Sequence, residues 1–115
     1  MENPSLRDLT LRQLQIFWTV AHTRSLTRAA KQLEMRQPSI SQQISKMEHA
    51  LGGKLIRFVN NEMRLTPAGE FLVEEAGRIL GAVDHAKAGL SEFFGGERGR
   101  IVVGALPSLA RARID

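Results

Sequence analysis

The stretch Gln37-Pro38-Ser39-Ile40-Ser41-Gln42-Gln43-Ile44-Ser45-Lys46 decides the fold, within a longer segment that runs from residue 25 to residue 51. Its pattern predicts a helix, because apolar residues recur at i, i+4, i+7 and i+11. These residues are Ile40, Ile44, Met47 and Leu51. The opposite face carries amides and hydroxyls where an ordinary solvated face would carry more Glu and Lys. Amides and hydroxyls are what a helix needs to hydrogen-bond base edges in a major groove.

A short helix is predicted just before this segment. Ser25 can cap it, and its apolar face has the i, i+3, i+4, i+7 spacing. That face consists of Leu26, Ala29, Ala30 and Leu33. Residues 34–36 are too few to do more than turn the chain, and Pro38 suits the first turn of the next helix, where its missing N–H costs nothing. The pattern favours a helix-turn-helix, the alternative being two adjacent amphipathic helices of any small helical domain.

The charge of the chain is unevenly distributed. Residues 1–66 contain ten Lys and Arg against five acids, a net charge of +5, and residues 67–115 contain six against seven, a net charge of −1. The positive excess therefore lies with the helix-turn-helix, as phosphate binding requires. A basic domain without a polyanionic partner remains the alternative.

Several classes of protein are disfavoured. Without Cys, the chain has neither a disulfide framework nor a thiolate zinc site. Residues 1–8 lack the apolar core of a signal peptide, and no apolar run approaches the ~18 residues of a membrane helix. His22, His49 and His85 show neither metal-ligand spacing nor a nucleophile–base pairing. We expect a soluble cytoplasmic protein with no cofactor and no metal, and not an enzyme.

The first long helix is expected to begin at Thr10 and to end near residues 23–24. Thr10 and Gln13 have the spacing of a capping box. The predicted apolar face has Leu11 on its edge and consists of Leu14, Phe17, Trp18 and Ala21. We expect Trp18 to pack in the core over the helix-turn-helix, in preference to stacking on bases.

A β-hairpin, or wing, is predicted after the stop signal Gly52-Gly53. Residues 55–59 and 63–65 are short and extended in character, and Asn60-Asn61 can adopt the positive φ of a tight turn. Arg57 and Arg64 are suited there to phosphate or minor-groove contacts. Solvated surface arginines are the alternative.

A long helix is predicted from Thr66-Pro67, as cap and first residue, to about Phe94. Its apolar residues follow a heptad pattern, which is typical of a helix that packs lengthwise on another helix. This seam consists of Leu72, Ala76, Ile79, Val83, Ala86, Leu90 and Phe93. Its length favours a second copy of the chain as the partner, the alternative being the helix's own domain.

Residues 95–99 are rich in glycine and read as a hinge, and residues 100–107 read as a single buried-type strand followed by a break. A lone strand cannot bury itself. We expect either a fragment of a longer protein, in which a second domain has just begun, or a loosely held tail over residues 97–115.

Three motifs in order carry a family resemblance: Ser25-Leu26-Thr27-Arg28-Ala29-Ala30, then residues 37–44, then Leu65-Thr66-Pro67-Ala68-Gly69 before the long helix. Over about residues 10–107 the chain resembles the N-terminal DNA-binding domain of LysR-type transcriptional regulators. The resemblance implies a mainly α fold, with a winged helix-turn-helix in residues 1–66 and a linker and dimerisation helix in residues 67–94. It implies that residues 95–115 contain a hinge and the first strand of a truncated effector-binding domain.

The resemblance also implies function. A homodimer joined by the linker helices would bind an interrupted inverted repeat in bacterial promoter DNA. A small-molecule effector would bind the missing C-terminal domain, and tetramers of the full-length protein are left open. The alternatives are a helical adaptor that uses the heptad seam for protein–protein contact and a basic winged-helix module that binds DNA without specificity.

Individual residues match the family's DNA-facing positions. The base-facing set is Gln37, Pro38, Ser39, Ser41 and Gln42. Thr27 and Arg28 match the family's positions near phosphates. Further cations expected at phosphates or on the wing are Arg36, Lys46, Arg57 and Arg64. Two positions depart from the family pattern. Gln42 stands where Arg is frequent, and an amide favours adenine over guanine. Phe58 takes the usual wing Arg position and Arg57 lies one step earlier, so either a bulge restores the phosphate contact or it is lost.

Overall fold

The computed structural model describes residues 9–95. Its elements are α1 (Leu11–Thr23), α2 (Leu26–Leu33), α3 (Gln37–Leu51), β1 (Ile56–Val59), β2 (Glu62–Leu65) and α4 (Pro67–Phe94). The prediction of a mainly α, winged helix-turn-helix fold with a long following helix is confirmed. The predicted hinge beyond Gly95 and the predicted strand of residues 100–107 lie outside the described residues.

Local sequence signals account for the ends of α1. The Thr10 hydroxyl accepts a hydrogen bond from the Gln13 backbone N–H at 3.1 Å, and the Gln13 side chain accepts one from the Thr10 N–H at 3.0 Å. This is the predicted capping box. The helix ends where Arg24 adopts a left-handed φ of 56° and donates its N–H to the Val20 carbonyl.

The turn between α2 and α3 is equally local. Ser25 caps α2 by accepting the Arg28 N–H at 3.1 Å. Glu34 ends α2 in the left-handed region, and the Met35 N–H donates to the Ala30 carbonyl at 2.9 Å. Pro38 lies in the first turn of α3. The ends of α2 and the start of α3 are therefore set by residues of the same short stretch of chain.

The core is built from α1, α2, α3 and the wing together with the residue that leads into it, Leu55. Its largest fully buried side chains are Ile16, Phe17, Val20, Ile40 and Met47. The prediction for α1 was incomplete, because α1 packs against both α2 and α3 and so buries more than one stripe.

Two apolar residues of the predicted helix faces lie at the edge of the core. Trp18 is only half-buried and stacks on His22, with ring centroids 3.9 Å apart, because Ile16 and Val20 fill the core instead. Leu51 is 46% exposed, since it is the last residue of α3 and the chain turns away at Gly52. The prediction that Trp18 packs in the core was therefore wrong, and the apolar stripe of α3 ends in an exposed residue.

The wing is a regular two-stranded antiparallel hairpin. Its cross-strand pairs are Ile56–Leu65, Arg57–Arg64, Phe58–Met63 and Val59–Glu62. Asn60 and Asn61 form the connection with φ values of 53° and 65°, as a two-residue turn of this kind requires. Each residue of β1 has one partner in β2, so the register has no bulge, and Arg57 and Phe58 lie on opposite faces.

The start of α4 is bonded to the chain that leads into the wing. The Thr66 hydroxyl accepts the Gly69 N–H at 3.0 Å and donates to the Lys54 carbonyl at 2.7 Å. The Thr66 N–H donates to the Leu55 carbonyl at 3.0 Å. A Cβ on Gly69 would lie 2.2 Å from the Leu55 carbonyl oxygen, so this close approach requires glycine.

Helix α4 has 28 residues, about 42 Å at 1.5 Å per residue. The chain divides within it into two compact units, Met1–Ala76 and Gly77–Asp115. Among the predicted seam residues, Leu72 packs against the core of the first unit and Ala76 is fully buried. In the second unit Ile79, Leu90 and Phe93 are exposed by 39%, 50% and 83%.

Candidate nucleic-acid interface

Helix α3 presents the predicted base-facing residues along its outer side. Gln37, Pro38 and Gln42 are exposed, and Ser39 and Ser41 are half-buried. The inner side is held in the core by Ile40, Ile44 and Met47. The two faces of the helix therefore divide as the spacing predicts, with the amides and hydroxyls outward.

Gln42 and Gln43 are neighbours in sequence but are used differently. Gln43 is half-buried, and its side-chain carbonyl accepts a hydrogen bond from the Gln13 amide at 3.2 Å. Gln13 is itself part of the α1 capping box, so Gln43 ties α3 to the start of α1. Gln42 is exposed and makes no side-chain hydrogen bond within residues 9–95. Its amide can therefore both donate and accept toward a base edge, as bidentate reading of adenine requires.

Gln37 is linked to the preceding helix. The Thr27 hydroxyl donates to the Gln37 side-chain carbonyl at 3.3 Å. The first turns of α2 and α3 are thereby brought together, which places a predicted phosphate-facing residue beside a predicted base-facing residue. The bond occupies the carbonyl end of Gln37, so the amide N–H₂ is the end that can donate to a base.

Cationic side chains flank this face. Arg28, Arg36 and Lys46 are all exposed. None of the acidic or basic groups of α3 other than Glu48 forms an ion pair within the described residues. These three cations belong to the basic half of the sequence, residues 1–66. The positive potential of that half attracts a polyanion such as the DNA backbone.

The wing brings Arg57 and Arg64 together. They are direct cross-strand partners on the outer face of the hairpin, and both are exposed. Glu62 pairs with Arg64 at 3.1 Å, with both side chains largely in solvent. Like charges opposite each other in a hairpin are destabilising, and an anion between them relieves the repulsion. A phosphate group is the anion that a DNA backbone would supply.

Phe58 lies on the other face of the wing. Its cross-strand partner Met63 is buried, yet Phe58 itself is 58% exposed. It borders a groove of about 200 Å³ between α3 and the wing, together with Ser41 and Ser45. Because the hairpin is regular, the aromatic ring and not Arg57 takes the position that the family pattern gives to arginine.

Sequence reasoning missed Glu48 as a contributor to this site. The Glu48 carboxylate accepts hydrogen bonds from the backbone N–H groups of Leu55 and Ile56 at 2.9 and 3.3 Å. These bonds join α3 to the start of the wing. A signal was available in the sequence, because Glu48 is the one acidic residue between residues 35 and 61.

The described residues lack a metal site and a membrane-spanning helix. No group of three or more His, Cys, Asp or Glu side chains within residues 9–95 is placed to hold a metal ion. Across the same residues, no helix has both the length and the apolar character to cross a membrane.

Comparison with protein families adds to this geometry. Residues 11–70 match the family model of bacterial regulatory helix-turn-helix proteins of the lysR family. The chain is 44% identical over 101 residues to the HTH-type transcriptional regulator CfxR of Cupriavidus necator, covering 88% of this chain and 32% of CfxR. It is 40% identical over 96 residues to a probable RuBisCO transcriptional regulator of Thalassiosira pseudonana, covering 84% and 31%. The chain thus spans about a third of the length of these relatives.

Solved structures are similar over the same region. A crystal structure of the BenM DNA-binding domain in complex with catB site 1 DNA superimposes with a TM-score of 0.73 and 32% identity, covering 76% of this chain and 98% of that one. Oxidized OxyR of Corynebacterium glutamicum superimposes with a TM-score of 0.69 and 35% identity, covering 79% of this chain and 28% of that one.

Proposed function

This chain belongs to the lysR family of bacterial regulatory helix-turn-helix proteins, and we propose that it is the DNA-binding part of a transcriptional regulator that recognises a specific sequence. One observation carries the proposal. An uncharged, hydrogen-bonding face of α3 is exposed, while the basic side chains lie at its edges and on the wing. Base edges are read by uncharged hydrogen-bonding groups, and phosphates are contacted by basic side chains.

The division of roles follows from exposure and chemistry. The outer side of α3, comprising Gln37, Pro38, Ser39, Ser41 and Gln42, enters the major groove. Gln42 carries most of the base discrimination, because its amide is exposed and unengaged, and its preferred partner is adenine. The residues that contact phosphates are Thr27, Arg28, Arg36, Lys46, Arg57 and Arg64. Because the wing has no bulge, Arg57 does so from the outer face beside Arg64, and not from the position that Phe58 occupies.

Dimerisation is proposed through the second part of α4. Leu72 and Ala76 are buried in the unit that ends at Ala76. The later seam residues are partly or largely exposed: Ile79, Val83, Ala86, Leu90 and Phe93. A heptad seam exposed in this way is stabilised by packing on a second helix. A homodimer then presents two recognition helices to the two halves of an inverted repeat.

The rest of the assignment concerns the whole protein. We propose that residues 1–66 form the DNA-binding module and that residues 67–94 form the linker. Residues 95–115 would begin an effector-binding domain that takes a small molecule. The relatives are about three times as long as this chain, which supports a further domain. Their class, transcriptional regulators, supports a cytoplasmic location and the lack of an enzymatic activity. Tetramer formation would depend on that further domain.

The test is selection of binding sites from random duplex DNA, followed by titration of the enriched sequence at two salt concentrations. We expect an inverted repeat whose half-site centres are one or two helical turns apart. We expect affinity for it to exceed affinity for random DNA by a factor in the range of ~10³–10⁷. Binding that is weak, salt-labile and unselective would contradict sequence-specific recognition.

A helical adaptor is the second candidate. Phe93 and Phe94 near the end of α4 are 83% and 78% exposed, which favours some protein contact. An adaptor needs no polar recognition face, so the same titration separates the two candidates. A chain that binds no duplex DNA but still self-associates would be an adaptor.

A further inference from the structure

Glu48 lies on the recognition helix but its carboxylate bonds to the wing. One carboxylate oxygen accepts the backbone N–H groups of Leu55 and Ile56 at 2.9 and 3.3 Å. The other lies 3.6 Å from the Lys54 ammonium. The Glu48 side chain is 11% exposed, whereas that of Lys54 is 70% exposed. The two backbone bonds are therefore the sheltered part of the contact, and charge-assisted bonds of this kind are among the stronger ones in proteins.

The residues that Glu48 holds lead directly into the wing. Ile56 is the first residue of β1, and Arg57 follows it. The opposite edge of the same short segment is held by Thr66, which bonds to the carbonyls of Lys54 and Leu55. Thr66 lies between β2 and α4, whereas Glu48 lies on α3. The Glu48 bonds are therefore the ones that join this segment to α3.

A carboxylate at this place has an electrostatic cost for DNA binding. Glu48 is the one acid between residues 35 and 61, in the most basic part of the chain. By charge alone, its removal should strengthen attraction to phosphates. A positioning role predicts that removal of Glu48 weakens DNA binding, because a wing detached from α3 would no longer hold Arg57 and Arg64 near the phosphates.

We propose that Glu48 is a positioning residue for DNA binding, which sets the distance between the base-reading side of α3 and the cross-strand pair Arg57–Arg64. This rests on the proposed function. With that distance fixed by one carboxylate, α3 can contact the bases of a half-site while the wing arginines contact its phosphates. Glu48 itself touches no DNA in this scheme.

The test compares Glu48→Ala with Glu48→Gln, using the selected DNA site at several salt concentrations. Glu48→Ala should weaken binding and reduce the slope of log K against log salt by up to ~0.9 for each of the two wing arginines. Glu48→Gln keeps a carbonyl acceptor for the wing N–H groups and should retain the parental slope. A Glu48→Ala variant with the parental slope, or with tighter binding, would overturn the proposal.

Glu62→Ala is the matched control. It also removes one negative charge near the wing, but the Glu62 side chain is 72% exposed and is bonded to Arg64, not to the backbone that leads into β1. We expect it to bind DNA at least as tightly as the parent. A loss of slope equal to that of Glu48→Ala would mean that any acid near the wing has this effect, which would contradict a specific role for Glu48.

A double-mutant cycle tests whether Glu48 acts on DNA binding through the wing arginines. In an Arg57→Ala/Arg64→Ala background, Glu48→Ala should reduce the salt slope no further, because the arginines it positions are gone. A further reduction of the same size would place its effect elsewhere and overturn the proposal.

A measurement without DNA separates this inference from the proposed function. Amide hydrogen exchange at Leu55 and Ile56 should be faster in Glu48→Ala than in the parent, while exchange at Phe17 and Ile44 is unchanged. Unchanged exchange at Leu55 and Ile56 would overturn the anchoring, whatever the DNA result. Faster exchange in a protein that binds no DNA would instead reject the proposed function and leave Glu48 as a structural anchor.

Discussion

The beginning and the remainder of α4 share one heptad pattern but differ in what the pattern contacts. Near the start, Gly69 packs against the Leu55 carbonyl and Leu72 packs against the core of the first unit. Beyond Ala76, large apolar side chains such as Leu90 and Phe93 are exposed. A periodic pattern therefore identifies a helix face that needs a partner, but it does not say whether the partner is the same chain.

Helix α3 repeats this difference with polar residues. Gln43 is bonded to Gln13 inside the unit, and its neighbour Gln42 is exposed. In both helices, one set of side chains packs or bonds within the first unit and a similar set is exposed.

The largest effect is expected for Leu90→Asp, which places a charge in the exposed part of the seam. If this part joins two copies, the buried carboxylate would lack a partner and the dimer should dissociate. Sedimentation velocity should show a monomer. His85→Asp, on the exposed opposite side of α4, should remain dimeric. A Leu90→Asp profile identical to the parent's would exclude dimerisation through this seam.

Gly69→Ala should lower the free energy of unfolding by about 3 kcal/mol, at the upper end of overpacking costs. The added Cβ would meet a backbone oxygen at 2.2 Å, and neither backbone can move without breaking the Thr66 contacts. Urea denaturation would measure the change.

Gly89→Ala is the control in the same helix. An added Cβ there meets nothing within 4 Å, so the substitution should stabilise the helix by ~0.8–1 kcal/mol. Changes of opposite sign in the free energy of unfolding for the two substitutions would sharpen the contrast within α4. A neutral Gly69→Ala would contradict the close contact with Leu55.

Leu72→Ala should cost about 2 kcal/mol of domain stability, the lower end for such substitutions, because Leu72 is half-buried against the core. Leu90→Ala, measured at a concentration where the chain is monomeric, should change stability by less than ~0.5 kcal/mol. Similar costs for the two leucines would mean that both are packed within the monomer.

Much of the fold could be predicted because its signals are local. The Thr10 and Ser25 caps, the Pro38 start and the Asn60-Asn61 turn each act within a few residues, and the structure contains all of them. Trp18 was misplaced because helical spacing shows which side chains are neighbours, not which of several faces meets the core.

The site could be predicted only where exposure follows from the helix period. The outward position of Gln42 is such a case. Glu48 is the opposite case, since its partners Leu55 and Ile56 lie beyond the Gly52-Gly53 turn and are backbone groups without a sequence signature. The regular register of the wing, which keeps Arg57 on the outer face, also needed the structure.

Gln42→Ala should reduce discrimination at one base pair of each half-site by ~1–3 kcal/mol, the worth of a bidentate amide–base contact. Competition between the selected site and single-base variants would measure it. Gln43→Ala should leave the preference unchanged, because its amide is directed at Gln13. An unchanged preference in Gln42→Ala would rule out base reading by this residue.

The smallest effect is expected for Arg36→Ala, which tests phosphate contact beside the recognition helix. Arg36 precedes α3, is exposed and makes no side-chain cap bond. Its loss should weaken binding to selected and random DNA by the same factor, because phosphates carry no sequence information. The salt slope should fall by ~0.9, one contact's share. Arg24→Ala is a suitable control, since the Arg24 guanidinium is already bonded to the Ala21 carbonyl at 3.2 Å. If the salt slope falls for Arg24→Ala but not for Arg36→Ala, the phosphate contact lies at the end of α1 and not at the start of α3.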